Sequence, residues 1–293
     1  MPRLKPSTFW KAYAINKGLP FLLPECRTIS AAKQELRWIS QECSNEQQIL
    51  QCCKLRHSHY PLQYILKSQP FGPLDIRCKR GVLIPRWETE EWTMDLAQRL
   101  PVDQEMRLVD LCTGSGCIAL LMKHLRPKLT VNAFDCSPLA IHLAHQNARE
   151  LGIDVQIAVQ NILDDTAPKT LPNFDLITCN PPYIPQSTFI KETSTSVKLF
   201  EPKLALLGSF EFYDNLIKTW LSKTDAFVYE VGGLSQCIYV HDKIAQDSEL
   251  SKLWRVGFKF DSNKQSRVVY GYKQISTRVD WKEVFKGFGK LGH

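Results

Sequence analysis

No stretch of this 293-residue chain approaches the roughly 18 consecutive apolar residues that would cross a bilayer. No membrane partner is expected. No secretory signal opens it either, so a reducing compartment and free thiols are expected. Its ten cysteines contain no Cys-x-x-Cys spacing, which removes the commonest zinc and redox codes. Cys52, Cys53, His57 and His59 lie close in sequence, but their spacing matches no common ligand pattern, and no metal is expected. Repeats of 20–50 residues are missing, which excludes a solenoid. Acids are missing from the first 24 residues, where Arg3, Lys5, Lys11 and Lys17 stand alone. Such a start fits a mitochondrial presequence and equally the basic first helix of a folded domain.

What is present describes a globular protein. With 44% hydrophobic, 23% charged and 10% aromatic residues, the chain is neither disordered nor collagen-like. The formal net charge of +7 permits a nucleic-acid or acidic partner without requiring one. Ala32, Leu36, Ile39 and Cys43 follow a helical period with Ser30 placed to cap it. Asn45 can start a second helix carrying Ile49, Cys52, Cys53 and Leu55 that ends before Pro61. Residues 1–66 therefore read as a small helical domain. Turn signals at Gly72-Pro73 and 79–81 flank Leu74–Cys78 and Val82–Ile84, predicting a β-hairpin linker over residues 67–84. After Pro85, Glu88 to Glu91 favour the first turn of a helix.

From Arg107 strands and helices alternate. Strands are predicted at 107–111, 130–134, 155–159, 174–178, 226–231, 254–260 and 268–271. This is the α/β pattern of a doubly wound, mostly parallel, Rossmann-like sheet, which holds ligands at the carboxyl ends of its strands. Residues 85–275 would form this domain and 276–293 a peripheral helix or tail.

Two loops carry the chemistry. The first strand runs into Asp110-Leu111-Cys112-Thr113-Gly114-Ser115-Gly116, where glycines permit positive φ and close approach of a ligand to the backbone. The spacing is not Gly-x-Gly-x-x-Gly, which makes a nicotinamide dinucleotide the less natural ligand, and the missing Gly-Lys-Ser/Thr excludes a P-loop. Asp135, at the tip of the second strand, can accept from both hydroxyls of a ribose, with Ser137 and Pro138 opening the next helix. Asn161 can reach an adenine edge and Ile162 can help cover its face. The fourth strand ends in Asn180-Pro181-Pro182-Tyr183. Its two prolines stiffen the loop and leave carbonyls without N–H donors. The Asn180 side chain and the Pro181 carbonyl can grip both hydrogens of an NH2 group, while Tyr183 packs on its plane.

The chain resembles class I S-adenosylmethionine-dependent methyltransferases, and within them the HemK/PrmC family, which methylates a glutamine amide of peptide-chain release factors. The resemblance rests on Gln63-Tyr64-Ile65, on Leu83 to Glu90, on Asn180 to Pro185, on Glu201 to Leu206 and on Arg267 to Gly271. It departs from the family at Cys112, where glycine is usual, at Trp87, where proline is usual, and at Asn161, where aspartate is common. The resemblance implies S-adenosyl-L-methionine as cofactor, held by Asp110, Cys112, Thr113, Gly114, Ser115, Gly116, Asp135, Asn161, Ile162 and Asn180. It implies Asn180, Pro181 and Tyr183 as catalytic residues, the same three with Pro182 as substrate contacts, and Arg86 and Glu201 as loop supports. The partner implied is a class I release factor, probed by the helical domain and methylated on its Gly-Gly-Gln glutamine. A monomeric, mitochondrial, fungal-like member needing no nucleic acid is expected. Two competing readings are an adenine N6-methyltransferase of DNA or RNA, and a non-catalytic methyltransferase-like assembly factor.

Overall fold

The computed structural model describes residues 3–164 and 171–292. Five helices come first: α1 (Pro6–Ile15), α2 (Leu19–Cys26), α3 (Ile29–Glu42), α4 (Glu46–His57) and α5 (Leu62–Leu66). Asn45 caps α4 as its sequence suggests, its side chain accepting from Gln48 N at 3.0 Å. Helix α3 starts earlier than expected, because Thr28 rather than Ser30 supplies the cap by accepting from Ala31 N. The five helices enclose a core of their own around Leu19, Leu22, Leu23, Ile39 and Cys53. Arg56 crosses beside it, paired with Glu25 and Glu35.

A hairpin follows, β1 (Ser68–Phe71) with β2 (Leu74–Arg77), in the register Phe71↔Leu74 to Ser68↔Arg77. This corrects the predicted hairpin. Gly72, at φ +58, makes the reversal, so the partner of 74–77 precedes it and Val82–Ile84 forms no strand. That segment instead runs as a strap toward the ligand side, where Tyr64 Oη donates to Val82 O at 3.0 Å.

The remaining elements are α6 (Trp87–Arg99), β3 (Met106–Leu111), α7 (Cys117–Leu125), β4 (Leu129–Asp135), α8 (Pro138–Leu151), β5 (Gln156–Val159) and β6 (Phe174–Cys179). After these come α9 (Gln186–Glu192), α10 (Thr195–Phe200), α11 (Glu211–Asn215), β7 (Thr224–Glu230), α12 (Leu234–Gln246), α13 (Leu250–Leu253), β8 (Trp254–Phe260), β9 (Ser266–Lys273), α14 (Trp281–Val284) and β10 (Lys290–Leu291). All seven predicted strands are present within a few residues. The sheet order is β10-β8-β9-β7-β6-β3-β4-β5, with β9 antiparallel to both neighbours and β3 to β7 mutually parallel.

Alternate residues of each strand face opposite cores. Leu108, Leu176, Ala226 and Val228 enter one cluster, whereas Val109, Ile177, Phe227 and Tyr229 enter the other. The peripheral tail expected after residue 275 is replaced by buried structure. Trp281, Phe285 and Phe288 belong to the first cluster, and Phe285 stacks on Tyr270 and Tyr272 at centroid distances of 4.9 and 5.5 Å. Burying three large aromatic side chains binds the segment to the sheet, although it lies beyond the stretches that carry the family resemblance. Chain order reverses between β3 and β6, so the loops after these two strands face one another.

Candidate active site

At the end of β3 the chain turns through Cys112, Gly114 and Gly116, with φ of +57, +57 and +83. Gly114 has open space where a Cβ would stand. At Gly116 a Cβ would meet the Ala144 Cβ at 3.2 Å, so glycine there lets α7 approach α8. Cys112 takes the left-handed conformation despite its side chain, at a cost of about 1 kcal/mol or more. The departure from glycine is thus absorbed as backbone strain.

Asp110 lies beneath this turn, fully buried, and accepts from Thr113 Oγ1 at 2.6 Å and Thr178 Oγ1 at 2.8 Å. Burial pushes its carboxyl up to about 7, against the pull of those two hydroxyls. It lies behind the cavity wall. The direct ligand contact expected of it is therefore replaced by support of the loop. Asp135 accepts from Gly114 N at 2.9 Å and Ser137 N at 2.8 Å, which locks both loops to one carboxylate. Two backbone donors leave lone pairs on that carboxylate for a ligand.

These loops wall a cavity of about 260 Å³. Cys112 to Ser115, Asp135, Asn161, Ile162, Asn180 and Pro182 line it, together with the strap 81–86 and Thr89. Gly116 caps α7 without lining the cavity. Asn161 is exposed and spends its side-chain oxygen on Leu163 N at 3.1 Å, whereas Ile162 is buried. An open backbone turn, a carboxylate with spare acceptors and an apolar wall form a donor set that fits an adenosine-bearing ligand such as S-adenosylmethionine.

A second cavity of about 200 Å³ adjoins the first. Leu83, Arg86, Asn180 and Ala205 line both, so Asn180 stands where they meet. Tyr183, Ile184, Thr193, Ser194, Val197 and Leu206 complete the second wall. Pro181 is buried and lines neither cavity. The sequence-predicted residues are therefore divided by the fold between a cofactor-sized recess and a smaller one, with Asn180 and Arg86 on the wall they share.

Comparison with known proteins shows the family to which this fold belongs. Residues 89–201 match the family Methyltransferase small domain. The chain is 46% identical, over all of its own length and 96% of the relative's, to the mitochondrial MRF1 N(5)-glutamine methyltransferase MTQ1 of Saccharomyces cerevisiae. The chain belongs to the N(5)-glutamine methyltransferase family. A second family member, a probable mitochondrial MRF1 N(5)-glutamine methyltransferase of Schizosaccharomyces pombe, is 37% identical over 92% of this chain and 96% of its own. Among solved structures, the human METTL16 catalytic domain in complex with a MAT2A hairpin shares the fold. Its TM-score is 0.55 at 16% identity, covering 78% of this chain and 84% of that one.

Within this N(5)-glutamine methyltransferase fold, long-range contacts hold the Asn-Pro-Pro-Tyr loop. Glu201 accepts from Ile84 N at 3.1 Å and from Arg86 Nη2 at 2.7 Å, which ties the strap to the segment after α10. Ile184 N donates to Leu206 O at 2.9 Å and Gly208 N to Ile184 O at 3.1 Å. A Cβ on Gly208 would lie 2.1 Å from Pro182 O, so only glycine fits beneath the loop.

Sequence reasoning missed Glu230, at the end of β7. It is fully buried and accepts from Thr89 Oγ1 (2.6 Å), Trp92 Nε1 (2.9 Å) and Tyr183 Oη (3.2 Å). Burial pushes its carboxyl up, while those donors and the Arg267 charge hold it down. Burial, and then Glu230, also push the Tyr183 hydroxyl up. The only signal in the sequence was an acid at the carboxyl end of a parallel strand.

Proposed function

We propose that this protein transfers the methyl group of S-adenosylmethionine to the side-chain amide nitrogen of the glutamine in the Gly-Gly-Gln motif of a class I peptide-chain release factor in mitochondria. The observation that carries the reading is the position of Asn180, shared by a nucleoside-sized recess and a narrower one. When bound, S-adenosylmethionine supplies an electrophilic methyl on a sulfonium. The residues of the first recess would hold it: the 112–116 turn by backbone approach, Asp135 at the ribose, and Ile162 and Leu163 against the base.

An amide nitrogen is a weak nucleophile because its lone pair is delocalised into the carbonyl. Two acceptors on its hydrogens orient that lone pair and favour the positive charge that develops on nitrogen. Asn180 Oδ1 takes this role at the junction of the two recesses; the Pro181 carbonyl, outside both walls in the free protein, joins it only in the loaded complex, and Tyr183 and Ile184 flank the amide plane. Asn180 would hold the amide while its nitrogen takes the methyl, with S-adenosylhomocysteine as leaving group, and until its extra proton is lost to water. The helical unit of residues 1–66 docks the release factor, and residues 85–275 carry the reaction, in a monomer.

The names of both fungal relatives support a mitochondrial release factor as substrate. The test is incubation of the purified protein with labelled S-adenosylmethionine and a class I release factor, followed by peptide mass spectrometry. One added methyl on the Gly-Gly-Gln glutamine is expected. Label on nucleic acid in a parallel reaction, with none on the release factor, would replace this reading with an adenine methyltransferase.

A further inference from the structure

The side-chain amide of asparagine has two nearly isosteric ends, and only one is useful here. Asn180 must turn its oxygen, not its NH2, toward an acceptor nitrogen whose hydrogens it is to receive. Nothing in the Asn-Pro-Pro-Tyr loop itself decides between the two orientations. Its neighbours do. Asn180 Nδ2 donates to Thr89 Oγ1 at 3.1 Å. A threonine hydroxyl has a single proton, and Thr89 gives that proton to Glu230 Oε2 at 2.6 Å. Its oxygen is left only lone pairs to offer, so the group facing it must be the NH2 of Asn180.

The same Glu230 oxygen also accepts from Trp92 Nε1 at 2.9 Å, and an indole N–H can never accept. Oε2 is therefore held as an acceptor from two sides. The other oxygen receives Tyr183 Oη at 3.2 Å. Thr89, Trp92 and Glu230 are each at most 1% exposed, so water cannot stand in for any of these partners.

We propose that Trp92, Glu230 and Thr89 form a one-way hydrogen-bond relay that sets the orientation of the Asn180 amide, making Thr89 and Glu230 positioning residues for methyl transfer. The chain of donation runs from Asn180 to Thr89 to Glu230, with Trp92 fixing its sense. The same carboxylate anchors the Tyr183 hydroxyl, so both side chains on the acceptor side of Asn180 refer to one buried group. This inference rests on the reading of Asn180 given above.

The relay makes an unusual demand on its variants. In Glu230→Gln the new amide must put its oxygen beside Trp92, because Trp92 cannot accept. Its NH2 then faces Tyr183 Oη, which can. Thr89 still donates to oxygen, and Asn180 keeps its orientation. In Thr89→Val the relay is cut and Asn180 is free to turn over. In the double variant Trp92→Phe with Glu230→Gln, the glutamine is released to present its NH2 to Thr89, which reverses the relay.

The experiment measures methylation of a purified class I release factor under saturating S-adenosylmethionine. Melting temperature and calorimetric cofactor affinity are followed for each variant. Thr89→Val is expected to lower kcat about 20-fold or more with release-factor KM within about threefold, and Thr89→Ser to recover most of the loss. Glu230→Gln and Trp92→Phe should each cost about fivefold or less, and their combination more than the product of the two. Folded Thr89→Val with turnover within about threefold of the parent, or Thr89→Ser as impaired as Thr89→Val, would overturn the relay. Multiplicative losses in the double variant would overturn the part given to Trp92. If the parent protein methylates no release factor, the substrate reading fails instead. The relay is then read by the Asn180 side-chain NH2 signals in a ¹H–¹⁵N spectrum, identified by their loss in Asn180→Asp. They should shift in Thr89→Val and stay in place in Thr89→Ser, and the absence of a shift in Thr89→Val would count against the relay.

Discussion

The loops after β3 and β6 face each other across the same opening, yet they are held in different ways. The 112–116 turn is fixed by its own neighbourhood. Gly114 N reaches Asp135, Thr113 N reaches Phe134 O at 2.9 Å, and Thr113 Oγ1 reaches Asp110. The 180–185 loop is fixed from afar, by Thr89, Leu206, Gly208, Glu230 and Gln236. The 112–116 turn takes most of its supports from adjoining strand ends, with Thr178 and Asn147 reaching in from farther away. The geometry of the 180–185 loop depends on three other segments. On the function proposed above the difference has a reason: binding the cofactor needs little more than backbone and one acid, whereas orienting a poor nucleophile needs side chains set to a fraction of an ångström.

Substitutions on the two sides should therefore separate turnover from cofactor affinity. Asn180→Ala is expected to lower kcat by about 100-fold or more while leaving the cofactor Kd within about threefold. Methylation kinetics and calorimetry on the same preparation check both halves, and a large loss of cofactor affinity at normal turnover would remove Asn180 from the acceptor side. Gly208→Ala forces a methyl onto Pro182 O, displacing the loop. A loss of about tenfold in kcat is expected, with a lowered melting temperature and little change in cofactor binding. Asp135→Ala should act in the opposite sense, raising the cofactor Kd about tenfold before turnover at saturation suffers, because it deletes the acceptor shared by two loop amides. Unchanged affinity in calorimetry would take Asp135 out of the ligand's reach.

The pH dependence of stability is the subtlest of these contrasts. Asp110 holds its proton to about 7 in the folded protein, against 3.8 for the ordinary value. The folded state binds more protons than the unfolded one between those values, so stability from this group is full below 3.8 and is lost as pH rises through about 7. Replacing it with asparagine should flatten that decline. The variant is expected to gain melting temperature relative to the parent at pH 8 compared with pH 5, and parallel curves would contradict the shift.

The same contrast explains what was legible from residues alone. The seven main strands and the Asn45 and Ser137 caps follow from periodicity and short spacings, and they stand where the sequence suggested. Asp110 was recognisable as important but not as buried, because spacing in a turn does not say which side of it faces a ligand. Glu230 left only the trace of an acid at a strand's carboxyl end and Gly208 none: their importance comes from Thr89 and Pro182, and contacts between segments so far apart leave no periodic trace. Trp281, Phe285 and Phe288 lie beyond the stretches that carry the family resemblance, which left the segment to be read as peripheral. Only the tertiary fold shows that Tyr270 and Tyr272 offer them a stacking face.

Tyr64 reaches out of the helical unit to hold Val82, at the root of the strap that walls both cavities. Tyr60 meets Phe200 at a centroid distance of 5.0 Å, beside the Glu201 that grips the other end of that strap. The helical unit is thus not an interchangeable module attached to a finished enzyme. A graft from a distant relative would need a hydroxyl and an aromatic ring at these two positions. Otherwise the cavity wall would shift even though every residue of the α/β sheet was left in place. Divergence of these helices is therefore constrained at Tyr60 and Tyr64, where they touch the strap and its anchor.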